Sequence, residues 1–234
     1  MKRIKWLAGS WPLSIRQLAQ RIRVDVLTPE SMSGFLVTRV RESSIEARFI
    51  EKIISEESII DPFGNEIKFE RTSYVETAFR FSSEFPEVEL LNPPRSIGPF
   101  SSRILQICNF EAAWANLNVD VLAWADNIQK NIADKIIIDR AHVKDVVFDD
   151  DVSFEATLSG TKDVRPSMRS LLGGRQHTLD KLYISVNTGG RGSRIKISAD
   201  GSMQAPGDIP DELVQAIRHA LPRESHSARP VRSV

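Results

Sequence analysis

The stretch from Leu179 to Ser198 restricts the fold more than any other. Leu182, Ile184 and Val186 alternate with Lys181, Tyr183 and Ser185, the two-residue period of a strand buried on one face. Asn187 to Ser193 then holds three glycines in seven residues, so the chain can reverse through positive φ at little steric cost. Ile195 and Ile197 resume the alternation, with Arg194 and Lys196 on the opposite face. Such a hairpin needs a core on one side and water on the other. It points to an α+β fold: mainly antiparallel sheet with helices on one face, as one extended domain or two similar lobes.

Taken in order, residues 12–23 read as a short amphipathic helix. Ser10 is its expected cap and Pro12 sits in its first turn. Ile15, Leu18, Ala19 and Ile22 form a stripe at helical spacing, ringed by Arg16, Arg21 and Arg23. A second helix start is expected at Thr28-Pro29-Glu30, and the pair loosely resembles a helix-turn-helix. Ile22 and Arg23 fall where the turn glycine of that motif belongs, and a helix docked on the core by its stripe is the preferred reading.

From Gly34 the texture becomes β-rich. Phe35 to Val40 favours a strand, while Ile45 to Ile54 fits either periodicity. Ile59-Ile60, the turn Asp61-Pro62-Phe63-Gly64-Asn65 and the return through Ile67 and Phe69 tip residues 34–81 towards an antiparallel meander with an acidic outer face. Pro86, Pro93, Pro94 and Pro99 punctuate the next section, and a helix is expected within Ser101 to Asn109. Phe110 to Ile132 reads as helical, either in two pieces or with a short strand around Asn116-Leu117-Asn118.

A second β-rich section runs from Lys135 to Leu158, and Pro166 opens a short helix to residue 172. The hairpin follows, then a turn at Asp200-Gly201. Asp208 is the expected cap of a terminal helix with Pro210 in its first turn. The expected organisation is a basic helical segment (1–33), a first α+β lobe (34–132), a second (133–222) and a disordered tail (223–234). Strands, a proline-bracketed connection and a helix recur in both lobes, which raises an internal duplication as a hypothesis.

Charge is segregated although the net formal charge is zero. Residues 1–24 hold six Lys/Arg and no acid, residues 42–89 twelve acids against five bases, and residues 161–200 eight bases against three acids. Such blocks steer partners or let copies of one chain attract each other. No apolar run is long enough to span a bilayer, so a membrane partner is not expected. A single cysteine, Cys108, excludes an internal disulfide framework and favours a reducing cytoplasm.

Candidate chemistry is sparse, and the chain is read as leaning away from enzymes. Asp145, Asp149, Asp150, Asp151 and Glu155 could converge on a hard cation, yet aspartate at a strand-to-strand turn is ordinary. No metal ligands and no cofactor are assigned. None of the four histidines has zinc-helix spacing, and Cys108 lies in an apolar context suited to an inert thiol. Gly173-Gly174-Arg175 and Gly189-Gly190-Arg191 repeat one tripeptide at the two approaches to the hairpin. Successive glycines can aim N–H groups at an anion, and arginine grips phosphate bidentately.

The expected function is a non-catalytic cytoplasmic binding or assembly protein, a subunit of a homo- or hetero-oligomer. The alternative is a nucleic-acid-binding protein using Arg175, Arg191, Arg194 and Lys196 around the hairpin, with Arg16, Arg21 and Arg23 on the N-terminal helix.

Overall fold

A computed structural model describes residues 1–149, 152–188 and 191–223. The fold is α+β and predominantly β, and it divides into two compact units, each built on antiparallel sheet with its own helices.

One unit spans Ser10–Ala113. It contains α1 (Ile15–Val24), β2 (Ser33–Val40), β3 (Ser44–Ile60), β4 (Glu66–Ser82), β5 (Val88–Leu91) and α2 (Gly98–Ile107). The other joins Met1–Gly9 to the chain from Trp114 onward. It contains β1 (Lys2–Ser10), β6 (Ala113–Asn116), α3 (Val121–Asn131), β7 (Ile136–Val147), β8 (Ser153–Ser159), α4 (Arg165–Leu172), β9 (Thr178–Thr188), β10 (Arg191–Ser198), β11 (Ser202–Ala205) and α5 (Asp211–His219).

In the first of these the strands lie in sequence order, β2-β3-β4-β5, and α1 packs on β2 and β3. Its core is aromatic. Phe35, Phe49, Phe79, Phe81 and Phe100 are all buried, with ring centroids of contacting pairs 4.8–6.3 Å apart. Burying each ring stabilises by about 1.5–3 kcal/mol, and tilted or edge contacts add about 0.5–1.5 kcal/mol per pair. The stripe Ile15, Leu18, Ala19 and Ile22 of α1 is buried as its spacing predicts.

Several boundaries differ from the sequence reading. The cap of α1 is Ser14, whose Oγ accepts from Gln17 N while the Gln17 side chain accepts from Ser14 N. That reciprocal box outcompetes Ser10, which ends β1. No helix begins at Thr28-Pro29-Glu30. The chain instead makes a turn closed by Ser31 N–H to Thr28 O and enters β2.

The second unit orders its sheet β1-β11-β10-β9-β7-β8, with β6 also paired to β1. Ile4 and Trp6 of β1, Leu182, Ile184, Ile195 and Ile197 of the hairpin, and Met203 of β11 are all buried. Helix α3 packs on β9 and α5. Trp124 meets Trp6 edge-on at 5.9 Å and donates Nε1–H to Ile217 O at 2.9 Å. The helical reading of Phe110 to Ile132 resolves into β6 and α3, the latter capped by Asp120. The terminal helix begins after Pro210 rather than at Asp208.

The Leu179–Ser198 hairpin is present, with Ile184 opposite Ile195 and Leu182 opposite Ile197. Its turn residues Gly189 and Gly190 lie outside the described residues, as do Asp150, Asp151 and the tail from Glu224, His226 included.

The units share an internal order. In the first, a helix is followed by four strands paired in sequence order and then a helix; in the second, α3, β7, β9, β10, β11 and α5 repeat that order. Two things break the match. The β8–α4 excursion is inserted between β7 and β9, and β3 and β4 run 17 residues each where their counterparts β9 and β10 run 11 and 8. A common frame explains neither addition.

Candidate functional site

The β3–β4 extension is the first candidate surface. Strand β2 accompanies β3 only as far as Glu51, and β5 joins β4 only from Ala78 onward. From Ile53↔Ser73 to Ile60↔Glu66 the two strands pair, among the described residues, with each other alone. A two-stranded ribbon is marginal in water without a third layer.

Its side chains do not follow a one-faced pattern. Opposite pairs share a face, so Ile53, Phe69 and the pair Ile59↔Ile67 stand on one side, with Ile54 and Ile60 on the other. All are exposed, Ile60 at 75% and Phe63 at the tip at 89%. The tip itself is well tied. Asp61 Oδ1 accepts from Phe63 N and Asn65 N, each at 2.8 Å, and Asn65 O accepts from Asp61 N. The Asn65 side chain and these amides hold the Asp61 carboxyl below the ordinary carboxylate range. An ordered turn therefore carries a solvent-facing phenylalanine on a ribbon apolar on both sides.

The second candidate is the outer face of the β1-β11-β10-β9-β7 sheet. Cross-strand register places Arg3, Gln204, Lys196, Tyr183 and Arg140 in one row. Arg194 and Arg140 lie over the Tyr183 ring, at 5.1 and 5.3 Å from its centroid. Much of the neighbouring charge is already matched. Arg194 donates to Asp139 Oδ1 through Nη2 at 2.5 Å and Nε at 3.1 Å, and Ser185 Oγ donates to Asp139 Oδ2. Lys181 and Lys144 meet Asp180 at 3.0 and 3.1 Å. Burial would raise the Asp180 pKa, but the two ammonium groups outweigh it and hold the carboxyl low.

The residues singled out in the sequence separate into distinct settings. Arg194 and Lys196 share the Tyr183 face. Arg191 contributes backbone to β10, and its side chain lies outside the described set. Arg175 donates to Leu171 O at the end of α4 and lies over Phe148; the preceding Gly173 is the left-handed C-cap of that helix, at φ 54°. Arg21 belongs to the other unit and donates to Ile107 O at 2.7 Å, while Arg16 and Arg23 are exposed on α1. Asp25, the C-cap of α1, is gripped by Arg103 of α2, so this helix end is fastened within its own unit.

Sequence reasoning missed Arg3, Arg140 and the ribbon. The first was legible, because Arg3 and Lys5 alternate with Ile4 and Trp6. The ribbon had a signal as well: the doublets Ile53-Ile54 and Ile59-Ile60 put apolar side chains on both faces of a strand.

Other groups offer less. A pocket of about 300 Å³ is lined by Leu122, Met168, Leu172, Arg165, Arg169, Gly174 and His177. Arg165 is held by Asp163 and Asp126, and His177 Nδ1 lies 2.7 Å from Arg175 O. Burial pushes the Cys108 thiol up, against a small opposing pull from Arg21. Among the described residues no three His, Cys, Asp or Glu side chains group as metal ligands, and no helix is long and apolar enough to cross a membrane. Compared with known proteins, the chain matches no family model and no curated sequence.

Proposed function

We propose that this chain is a non-catalytic assembly subunit of the cytoplasm that engages protein through the β3–β4 ribbon. The observation that carries this reading is the ribbon's exposed apolar surface, on a paired extension absent from the equivalent hairpin of the other unit. Isolated exposed apolar residues are normal, but a contiguous set on a projecting edge marks an interaction surface or an aggregation hazard. A tied turn and five acidic residues among 53–73 resist the second outcome. The single buried cysteine accords with a reducing compartment.

The test replaces residues 53–73 with a two-residue Asn-Gly turn, which suits a short hairpin. Light scattering during size-exclusion chromatography and capture from a lysate are then compared with the intact chain. The reading expects an association that the shortened chain loses while its circular dichroism stays native. An intact chain that is monomeric and captures nothing through the ribbon overturns it.

Nucleic-acid binding is the second reading, favoured by the Arg3–Lys196–Tyr183–Arg140 row. Basic strands around an aromatic suit single-stranded nucleic acid. Its test is a salt-dependent mobility shift lost in Lys196→Ala/Arg140→Ala; unchanged binding in that variant removes it.

A further inference from the structure

The ribbon reading leaves the occupant open, and charge narrows it. Residues 53–73 carry five acidic and two basic side chains. Glu56 and Glu70 stand directly opposite each other on one face, beside the exposed Ile54 and Ile60. Two ribbons packed face to face in a symmetric dimer would stack these carboxylates on their own copies, which like-charge repulsion opposes. The surface that complements the ribbon is on the same chain: the outer sheet row of Arg3, Lys196 and Arg140, with Tyr183 and the partly exposed Ile137 supplying apolar contact.

We infer that the partner of the ribbon is a second copy of this chain, and that the acidic ribbon of one copy lies across the basic outer face of the β1-β11-β10-β9-β7 sheet of the next. This inference rests on the ribbon being an assembly element. Different patches meet, so the contact closes as a reciprocal two-fold pair or repeats as a ring or filament. A ribbon of eight paired residues is roughly 25–30 Å long, and one face of it covers several hundred Å², less than the ~800 Å² per partner of a standard stable interface. The association is therefore weak, reversible and reduced by salt.

Charge reversal on each side tests the pairing. Glu56→Lys/Glu70→Lys alters the ribbon and Arg3→Glu/Lys196→Glu alters the face, with circular dichroism and thermal melting confirming that both variants fold. Sedimentation velocity over a concentration series, at low and high salt, reads the mass. Wild type is expected to exceed monomer mass at low salt. Each variant alone should associate at least about tenfold more weakly. An equimolar mixture should recover association, because ribbon and face then match in both directions.

Wild type that stays monomeric while its ribbon captures a different protein overturns the second copy and leaves the assembly reading standing. Self-association that the ribbon-shortened chain loses but charge reversal leaves unchanged overturns the docking on the basic face and leaves the assembly reading standing. Failure of the mixture to recover, with both variants folded, also overturns it. A monomer that captures nothing overturns both.

Discussion

Glu56 and Glu70 face each other across the β3–β4 ribbon, in register and, among the described residues, with no third strand beside them. Lys68 lies 3.7 Å from Glu56, and Arg71 is 3.0 Å from the adjacent Glu57, so the repulsion is only partly offset. Directly opposed like charges destabilise a strand pair. Removing one of them, in Glu70→Gln, is expected to stabilise the ribbon by about 0.2–1 kcal/mol. Amide exchange at Ser55 to Ser58 should slow by up to about fivefold, while core strands are unchanged. Equal or faster exchange in the variant refutes this account of the pair.

Trp124 joins α3, β1 and α5 through one ring and one N–H. In Trp124→Phe the Ile217 carbonyl loses its buried donor, at a cost of about 1–3 kcal/mol. Trp124→Ala also opens a cavity and should cost about 3–5 kcal/mol. Urea unfolding followed by circular dichroism measures both. A Phe variant as stable as wild type would mean that the hydrogen bond contributes nothing.

Asp200 gives the second unit a defined response to acid. Burial alone would raise its pKa, but Ser202 Oγ at 2.6 Å, Lys5 Nζ at 3.1 Å and Ser202 N at 3.2 Å outweigh that and lower it. A carboxyl with a lowered folded pKa contributes stability above its unfolded value of about 3.9 and loses it as pH falls through the folded value. Asp200→Asn should therefore be less stable than wild type at neutral pH. The difference should close below about pH 4. Denaturation at a series of pH values checks this, and a difference that persists undiminished at the acid end contradicts it.

Arg194 is only about half buried and its partner Asp139 keeps the Ser185 hydroxyl when the arginine is removed. Arg194→Ala is expected to cost no more than about 1 kcal/mol, or a fall in Tm of no more than about 4 °C. A much larger drop would mean that Arg194 is a structural strut of the hairpin and no guide to ligand binding.

Legibility from sequence followed the physics of each segment. The Leu179–Ser198 hairpin was readable because each of its signals is local: alternation on both strands and glycines between them. The stripe of α1 was readable for the same reason. Its cap was not, because Ser10 and Ser14 are both good capping residues and only the end of β1 decides between them. Strand β1 was missed although Arg3 and Lys5 alternate with Ile4 and Trp6, because residues 1–33 read together as one basic helical segment. Asp120 hid the start of α3 inside an apparently continuous helical stripe. Lys196 was singled out in the hairpin, but Arg3 and Arg140 escaped because they join its row only through strand pairing. The ribbon was read correctly as strands, but nothing in residues 44–82 says where β2 and β5 stop.

The pairing of Lys2 with Ala205 fixes an order of events during synthesis. Every strand from β2 to β5 and both of its helices exist once residue 113 has left the ribosome, so the Ser10–Ala113 unit can close early. Strand β1 is made first and can meet β6 early, but its edge towards β11 stays open until Ser202–Ala205 is made. That long loop closure slows the second unit relative to the first, and the nascent chain meanwhile carries an apolar strand with one edge unpaired. Chaperone demand should accordingly concentrate on the first ten residues.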